Sequence, residues 1–490
     1  MKPTLLESSP EVANIVLQIP PEKWSDKAKR VAQHLSDREQ RGLRGRVVTR
    51  AMLDLARVEY LELEKEIWSG VCPKTGSSRL TIDFQNVKAF ADGTLPMLGA
   101  MLAYRSNKQY KTTLILPTEG PDAKRPSRVI DYLRAWNFDQ FVEDLTKRPI
   151  SEFLDRTTLE EWESWTEDRS RYLNLRQDGT ADLQVLSARR VALTRIPTEA
   201  VTSVHSELTP AARRNRASEV VSPFVAEWTV NTLGTILEQR IVTQQGVAVS
   251  EVVGTIILNE LLINALVHPA APSIYVTAQF YQNEEPQEHP YLALSVWDSG
   301  RAGKSLSSLL FDASRKGSIT SPAFGHISEI YHVWNSDGRY EHRVIGNDAD
   351  PKRIAKTHRD ALVAAPSPGV TSAPHEPGAV PKKLLNDDRV PEKVQGYAGM
   401  GLHRVKIAAV RTIGGVLQYA GDSKRMTMRV ARCKDARPAE YLSDDEANQL
   451  LGDNSYRVDV RTDKTISWPL VGNLWTVWLP IADEQGHSVK

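Results

Sequence analysis

Glu260, Asn264 and His268 recur at intervals of four residues at the end of a mainly apolar stretch, Val249 to Val267. On an α-helix this spacing places the three side chains on one face, one turn apart. The rest of the stretch is rich in Val, Ile and Leu, which predicts a single helix buried nearly all round. A carboxylate and a carboxamide on a buried helix are costly unless something satisfies them. A metal ion, a water molecule and a phosphate group would do so.

Two glycine-containing segments follow this helix. Asp298 ends a predicted strand in the segment Val296 to Gly303, and the segment Gly396 to Leu402 begins a predicted helix. Glycines at the start of a helix leave backbone N–H groups accessible, and the helix dipole favours phosphate groups there. The elements that position these residues are therefore a buried helix, a strand end and a second helix start.

In this order, the three segments resemble the N-box, the Asp-x-Gly-x-Gly box and the Gly-x-x-Gly-x-Gly-Leu box of the GHKL ATPase superfamily. This superfamily includes gyrase-type ATPases, sensor histidine kinases and anti-sigma-factor serine kinases. Gly472 to Pro480 resembles its closing strand, so the resemblance covers residues 220–482. It implies an α+β protein whose C-terminal part is a Bergerat-type α/β sandwich, a mixed sheet with helices on one face. ATP and Mg²⁺ are the cofactors that it implies.

The resemblance assigns the adenine end of ATP to the second box and to the closing strand. Asp298 would accept a hydrogen bond from the exocyclic amine of adenine, while Gly300 lets the backbone approach the base. Ala302 stands where the family has its second glycine, which predicts a stiffer turn. Asn473 replaces a family threonine and would contact the base through water. The alternative for Asp298 is a turn-forming residue before Ser-Gly.

The phosphate end is assigned to the other two boxes. Asn264 would offer an oxygen to Mg²⁺, a hard ion that keeps several waters, unless its amide is bonded to backbone. His268 is structural at the helix end, or it contacts a phosphate or a metal-bound water. The third box would bind the β- and γ-phosphates through four residues: Gly396, Gly399, Gly401 and Leu402.

Glu260 is the residue that would allow the predicted site to catalyse a reaction on ATP in addition to binding it. One turn before the metal-binding asparagine, a carboxylate can take a proton from an attacking water or hydroxyl. Gyrase-like and chaperone-like members also have a following domain that supplies a Lys or Arg to the γ-phosphate. Here the predicted closing strand lies close to Lys490. We therefore expect this cation from the N-terminal half, the lid, a second subunit or another protein, and slow turnover without it.

The front half of the chain predicts further α/β structure. Residues 1–75 form a helical and strand extension, and residues 76–145 alternate strands with helices. The segment Ile82 to Thr94, followed by a Leu-rich helix, resembles the STAS domain of anti-sigma-factor antagonists. Thr94 would be the only residue able to take the phosphorylated position, and its alternative is a helix N-cap. Residues 146–219 bridge to the ATPase domain of 220–482; His205 within the bridge faintly resembles a phosphoacceptor histidine, which the spacing disfavours.

Several local predictions complete this picture. Ala51 to Trp68 predicts an amphipathic helix, Val129 to Phe141 a single helix, and Pro223 the first turn of another helix. Residues 336–395 form a long lid or insert, mostly irregular because its composition is polar and proline-rich. A second polar insert covers residues 432–464.

The amino-acid composition of the chain limits the classes of function that the sequence could have. Lys and Arg number 62 and Asp and Glu 61, so no global attraction to nucleic acid or membrane is indicated. The basic stretch Lys23 to Arg50 leaves a nucleic-acid or acidic partner open, with a solvated helical face as the alternative. No stretch resembles a membrane span or a secretory leader. The two cysteines exclude a disulfide scaffold, so we expect a cytoplasmic protein.

The leading functional hypothesis is a regulatory ATPase that hydrolyses ATP slowly with Mg²⁺ and couples nucleotide state to lid movement. Association with a protein partner, or of two copies as a homodimer, would depend on which nucleotide is bound. A serine/threonine kinase of the partner-switching type and a non-hydrolytic, ATP-gated assembly protein are the alternatives.

Overall fold

The computed structural model of this chain describes the helices and strands named below, with several connecting turns. The described residues are 12–16, 57–58, 79–85, 87, 89–90, 93–119, 127–164, 188–196, 198–199, 210–229, 252–267, 271–281, 291–300, 306–315, 329–335, 340–345, 357–367, 401–421, 424–430, 455–462 and 472–480.

The chain divides into two compact units. The first comprises Met1–Thr194 with Thr277–Pro290, and the second comprises Arg195–Val276 with Tyr291–Lys490. Helices and strands occur in both, so the predicted α+β class is confirmed at that level. The finer domain boundaries given above stay predictions.

The first unit contains two small parallel sheets. In the larger one, β3 pairs in parallel with β1 on one side and with β5 on the other. In the smaller one, β2 pairs with β4. The strands are β1 (Val12–Val16), β2 (Arg57–Val58), β3 (Arg79–Asp83), β4 (Ala89–Phe90) and β5 (Lys111–Ile115).

Helices of the first unit follow its strands and enclose an apolar core. They are α1 (Thr94–Asn107), α2 (Arg128–Ala135), α3 (Phe138–Thr146) and α4 (Arg156–Ser164). Helix α1 crosses α3 at very short range, because a β-carbon on Gly99 would lie 2.1 Å from the Phe141 ring. The stacked and edge-on rings of Phe84, Phe90 and Tyr132 extend this core.

In the described part of the chain, the second unit carries the predicted boxes on five helices and on most of a large sheet, of which residues 188–194 and 277–281 belong to the first unit. The helices are α5 (Pro210–Trp228), α6 (Asn259–Val267), α7 (Leu306–Arg315), α8 (His358–Ala364) and α9 (Gly401–Lys406). A π-helical segment, Val253–Leu258, leads into α6, and another, Ile407–Thr412, continues α9. Helix α6 packs against both α5 and α9.

The sheet has nine strands in the order β10-β9-β13-β12-β11-β14-β8-β7-β6. Strands β9 and β13 run parallel, whereas β10–β9, β13–β12, β12–β11, β11–β14 and β14–β8 are antiparallel pairs. The strands are β6 (Ala188–Ile196), β7 (Ile274–Tyr281), β8 (Tyr291–Asp298), β9 (Glu329–Asn335), β10 (Tyr340–Ile345), β11 (Val416–Gly421), β12 (Lys424–Val430), β13 (Ser455–Thr462) and β14 (Asn473–Pro480).

Side-chain burial differs between the strands on the two sides of β11 in this sheet. In β12 and β13 buried residues alternate with half-exposed ones, as expected for strands with one covered face. In β8 and β14 nearly every described side chain is buried, including the cross-strand pair Ser295 and Thr476. The predicted box residues Asp298 and Asn473 therefore lie at the most enclosed part of the sheet.

Three local predictions for the first unit are corrected. Thr94 is not the N-cap of α1: that position belongs to Gly93, in the left-handed region at φ 83°, with no side-chain cap. The predicted helix from Val129 breaks in two at Asn137, which is also left-handed. Arg57–Val58 lies in a strand, within the range predicted as one helix, because its pairing with β4 is a tertiary contact.

One prediction for the second unit is corrected, and two regions predicted as polar inserts contain regular elements that were not predicted. Pro223 lies inside α5 instead of in its first turn, since the helix begins at Pro210. The polar region 336–395 is not uniformly irregular: it contains β10 and α8, and a capping box of Thr357 and Asp360 starts α8. The polar region 432–464 contains β13, which sits between β9 and β12 in the sheet.

Among the described residues, no helix combines the length and the apolar character needed to cross a membrane.

Candidate functional site

Helix α6 presents a buried glutamate and a half-buried asparagine on one face. Glu260 is 1% exposed. The predicted spacing is confirmed here: both residues lie in one regular α-helix, with Glu260 in its first turn and Asn264 one turn later. The surrounding Leu261, Leu262 and Ile263 are buried and hold the helix against its neighbours. Packing thus fixes where these two polar side chains point.

Glu260 is held by two arginines from other helices. Arg214 of α5 donates through Nη2 to both carboxylate oxygens, at 2.8 Å to Oε2 and 3.1 Å to Oε1. Arg404 of α9 donates through Nη1 to Oε1 at 2.6 Å. Hydrogen bonds between charged groups of this kind are short and strong, so the buried carboxylate is fully compensated.

Gly401 brings the third box into contact with the first. A β-carbon on this glycine would lie 2.7 Å from Nδ2 of Asn264, 2.8 Å from its Oδ1 and 2.9 Å from Oε2 of Glu260. Such separations are shorter than β-carbons normally show, so any residue larger than glycine here would displace these two side chains. Two segments well separated in sequence therefore converge at one point.

Asn264 has a polar atom that no described residue satisfies. Its Nδ2 is buried without a hydrogen-bond partner in the described part of the chain. Because amide nitrogen and oxygen are interchanged by a flip, this position can hold a donor for a phosphate or an oxygen for a hard cation. One neutral protein oxygen suits Mg²⁺, which takes its other ligands from water and phosphates. The residues present therefore fit a Mg²⁺–phosphate group.

Asp298 lies at the end of β8 and forms a compact turn. Its Oδ1 accepts from the backbone N–H of Gly300 at 2.8 Å and from Nδ2 of Asn473 at 2.9 Å. Gly300 has φ 69°, in the left-handed region that favours glycine. Both hydrogen bonds from described residues use the same oxygen. The arrangement therefore leaves Oδ2 for a further donor.

Asn473 holds Asp298 in place from the adjacent strand. The two residues face each other across the antiparallel pair β14–β8. Oδ1 of Asn473 accepts from the backbone N–H of Leu306 at 2.7 Å and from the Tyr419 hydroxyl at 2.9 Å. Both ends of the amide are thus engaged, and it links β8, β11 and the start of α7. The predicted contact between Asn473 and a base remains a prediction.

Burial raises the pKa of Asp298 from its ordinary value to about 7, although the hydrogen bonds from Asn473 and Gly300 oppose this shift. A carboxyl group with such a pKa changes protonation near neutral pH. In the absence of a ligand its contribution to folding stability is fully present below about pH 4 and is lost as pH rises through about 7. A bound hydrogen-bond donor would favour the ionised form instead.

The start of α9 is also fixed from the region of α8. His403 hydrogen bonds to the backbone of Pro366, and burial, reinforced by Lys406, lowers its pKa well below the ordinary histidine value. Its ring is therefore neutral near pH 7. Leu402 packs on an apolar cluster that joins α7 and α8, formed by Leu306, Leu310, Phe311, Ala361, Ala364 and Ala365.

Gly401→Ala is expected to reduce affinity for Mg²⁺–ATP about tenfold without unfolding the protein. The atoms that the new methyl group would meet are side-chain ends, which can move aside and thereby leave their positions in the site. Calorimetric titration measures this. Gly99→Ala is the matched control, since its methyl group meets Phe141 and should lower the thermal midpoint without changing nucleotide affinity.

The structure describes most of the predicted site residues but not all. Glu260, Asn264 and Gly401 come together, with Leu402 beside them, and Asp298, Gly300 and Asn473 form a second group in the same unit. His268, Ala302, Gly396 and Gly399 lie outside the described residues, as do His205 and the basic stretch Lys23 to Arg50.

The two arginines on Glu260 were not among the site residues predicted from the sequence. Arg404 had a detectable signal, because it follows Gly401 by three residues and so shares its helix face. Arg214 had none, being 46 residues from its partner on another helix.

Within the described ranges, no cluster of three or more His, Cys, Asp or Glu residues could hold a metal ion by itself. No protein-family model, curated protein or solved structure matches this chain.

Proposed function

We propose that this protein binds ATP with Mg²⁺ and hydrolyses it slowly, as a regulatory ATPase of the GHKL type. The observation that carries the proposal is the contact of Gly401 with both Glu260 and Asn264. The first residue of a helix, a glycine, lies together with a buried carboxylate and an amide that has an unsatisfied atom among the described residues. These are the groups that a triphosphate, its metal and an attacking water need.

The arrangement of the second unit supports the finer fold proposed for it. Strand β14 lies between β8 and β11, so the predicted closing strand is central, and α6 packs on β8. A Bergerat-type sandwich places its N-box helix against such a sheet. For the first unit, the parallel β3–α1–β5 arrangement is compatible with a STAS-like domain. Thr94 is fully buried there, which counts against it as a phosphorylation site.

Each end of the nucleotide has a proposed partner. Asp298 accepts from the exocyclic amine of adenine through the oxygen that its own turn leaves available. Asn264 contributes to Mg²⁺, which when bound would neutralise phosphate charge and polarise the terminal phosphoryl group. Gly401 lets the phosphates approach the start of α9. The contacts predicted above for four further residues remain part of the proposal: Gly396, Gly399, Ala302 and His268.

Hydrolysis follows from the position of Glu260. A water molecule beside the γ-phosphate gives its proton to this carboxylate while its oxygen bonds to phosphorus. The bond from phosphorus to the β-phosphate oxygen breaks, and the electron pair leaves with ADP. Inorganic phosphate is the second product. Lid arrangement and association with a protein partner or a second copy would then depend on which nucleotide is bound.

The test is calorimetry and phosphate release with the purified full-length chain, ATP and Mg²⁺. We expect saturable binding and slow release of inorganic phosphate. Absence of binding would refute the proposal. Transfer of radiolabel from γ-labelled ATP to protein, without phosphate release, would replace the ATPase by the serine/threonine kinase. Binding and a change of assembly size with neither activity would leave an ATP-gated assembly protein.

The preference for ATP over inosine triphosphate is expected to increase about tenfold between pH 6 and pH 8. The pKa of Asp298 is about 7, so this carboxyl becomes an ionised acceptor for the adenine amine as pH rises. When protonated it would instead donate to the inosine carbonyl. Both nucleotides carry the same phosphates, whose titration therefore cancels in the ratio of dissociation constants.

A ratio that is flat with pH, or that falls, would contradict this role of Asp298. In Asp298→Asn the ratio is expected to be small and independent of pH, which provides the control.

A further inference from the structure

The ion-pair cluster at Glu260, as the described residues form it, joins two arginines to one carboxylate. Arg214 and Arg404 each form a salt bridge to this single carboxylate, at 2.8 Å and 2.6 Å. Among the described residues, no second acidic side chain pairs with either arginine. Within this described set, one positive charge is in surplus beside a side chain that is 1% exposed. A partly desolvated cation without a counter-charge favours binding of an anion.

The two arginines are held unequally. Arg214 contacts both oxygens of the carboxylate and its side chain is 19% exposed. Among the described residues, the hydrogen bond of Arg404 is the one to Oε1, and its side chain is 30% exposed. A guanidinium group has five N–H donors in a fixed plane, so Arg404 keeps most of its donors for a second acceptor. Of the two arginines, Arg404 is thus the one that can leave the Glu260 carboxylate more easily.

Arg404 also stands next to the proposed phosphate position. It follows Gly401 by three residues on α9, and side chains three apart share a helix face. Gly401 in turn lies against Asn264 and Glu260. An anion bound at this contact would therefore lie on the helix face that carries Arg404.

We infer that Arg404 is a charge switch that senses the γ-phosphate: without nucleotide it occupies Oε1 of Glu260, and with ATP it transfers to the terminal phosphate. This inference rests on the proposed ATP binding and names a cation from within the chain. In the nucleotide-free state, Oε1 accepts from both arginines and so is not available to take a proton from water. Transfer of Arg404 removes the shorter of the two hydrogen bonds on that oxygen, while Arg214 keeps the carboxylate oriented through its shorter bond to Oε2.

The switch makes a prediction for nucleotide preference that does not depend on turnover. Arg404→Ala is expected to weaken ATP binding at least tenfold and to leave ADP binding unchanged, because only ATP has the γ-phosphate. Glu260→Gln is expected to strengthen ATP binding severalfold with ADP unchanged, because Arg404 no longer has to leave a carboxylate. Titration calorimetry of the full-length protein with Mg²⁺ and each nucleotide gives all four constants.

Matched controls lie on the same helical elements. Arg411→Ala removes an exposed arginine from the continuation of α9, and Arg216→Ala removes an arginine of α5 that pairs with Glu219 instead. Both should bind ATP and ADP like the wild type. Unchanged ADP affinity in Arg404→Ala also demonstrates that the variant is folded.

Three results would overturn the switch. Equal weakening of ATP and ADP by Arg404→Ala would mean that the arginine only supports the fold. Unchanged ATP binding in that variant would remove Arg404 from the γ-phosphate. Loss of ATP preference in Arg214→Ala alone would assign the role to Arg214. Failure of the proposed function is distinct, because the wild type would then bind neither nucleotide.

Discussion

Replacement of Glu260 by Gln is expected to reduce ATP hydrolysis by about 10²–10⁴-fold, the contribution that a positioned general base typically makes. The amide keeps the volume of the side chain and still accepts hydrogen bonds, but it cannot take a proton from water. ATP affinity should not fall, since the carboxylate itself contributes no attraction for phosphate. Phosphate release at saturating Mg²⁺–ATP measures the rate, and calorimetry measures the affinity.

Glu260→Ala tests the same role in hydrolysis, but it removes most of the side chain together with the carboxylate. It leaves Arg214 and Arg404 without their acidic partner, and breaking a buried ion pair costs about 3–5 kcal/mol. A lower thermal midpoint is therefore expected in addition to the lost activity. Glu219→Gln, on the exposed side of α5, is the control for a loss of charge and should hydrolyse ATP normally. Wild-type rates in both Glu260 variants would remove this residue from the chemistry.

Asp298→Ala is expected to weaken ATP, ADP and AMP equally, by about 10- to 150-fold, the value of a hydrogen bond to a charged group. The variant removes the acceptor for adenine and also the anchor of the turn at Gly300. Equal loss for the three nucleotides distinguishes it from the Arg404 variant, whose loss is confined to ATP. Titration of each nucleotide in turn checks the pattern.

The control for this change is Asp459→Ala in β13, an aspartate of the same sheet that is half-exposed and pairs with Arg457. It should bind all three nucleotides as the wild type does. Asp298→Asn keeps an acceptor oxygen in the turn and should fall between the wild type and Asp298→Ala. If Asp298→Ala affected ATP alone, the carboxylate would belong to the phosphate end of the site and not to adenine.

Much of the local structure could be predicted from neighbouring residues. The four-residue spacing of Glu260 and Asn264 places them on one helix, and the strands that carry Asp298 and Asn473 follow from apolar runs between turn residues. Errors occurred where tertiary contact overrides local pattern. Polar composition concealed β13, because a strand inside a sheet is stabilised by its neighbours as much as by its own residues.

The sequence by itself determined which residues are chemically capable: a carboxylate, an amide and glycines at helix and strand ends, each given by short-range spacing. Only the tertiary structure decided their partners. Glu260 meets Arg404 across 144 positions, and Asp298 meets Asn473 across 175. Spacing along a helix or strand fixes only the face on which a side chain lies. The order of strands and the packing of helices, which depend on burial over the whole unit, decide what that face contacts.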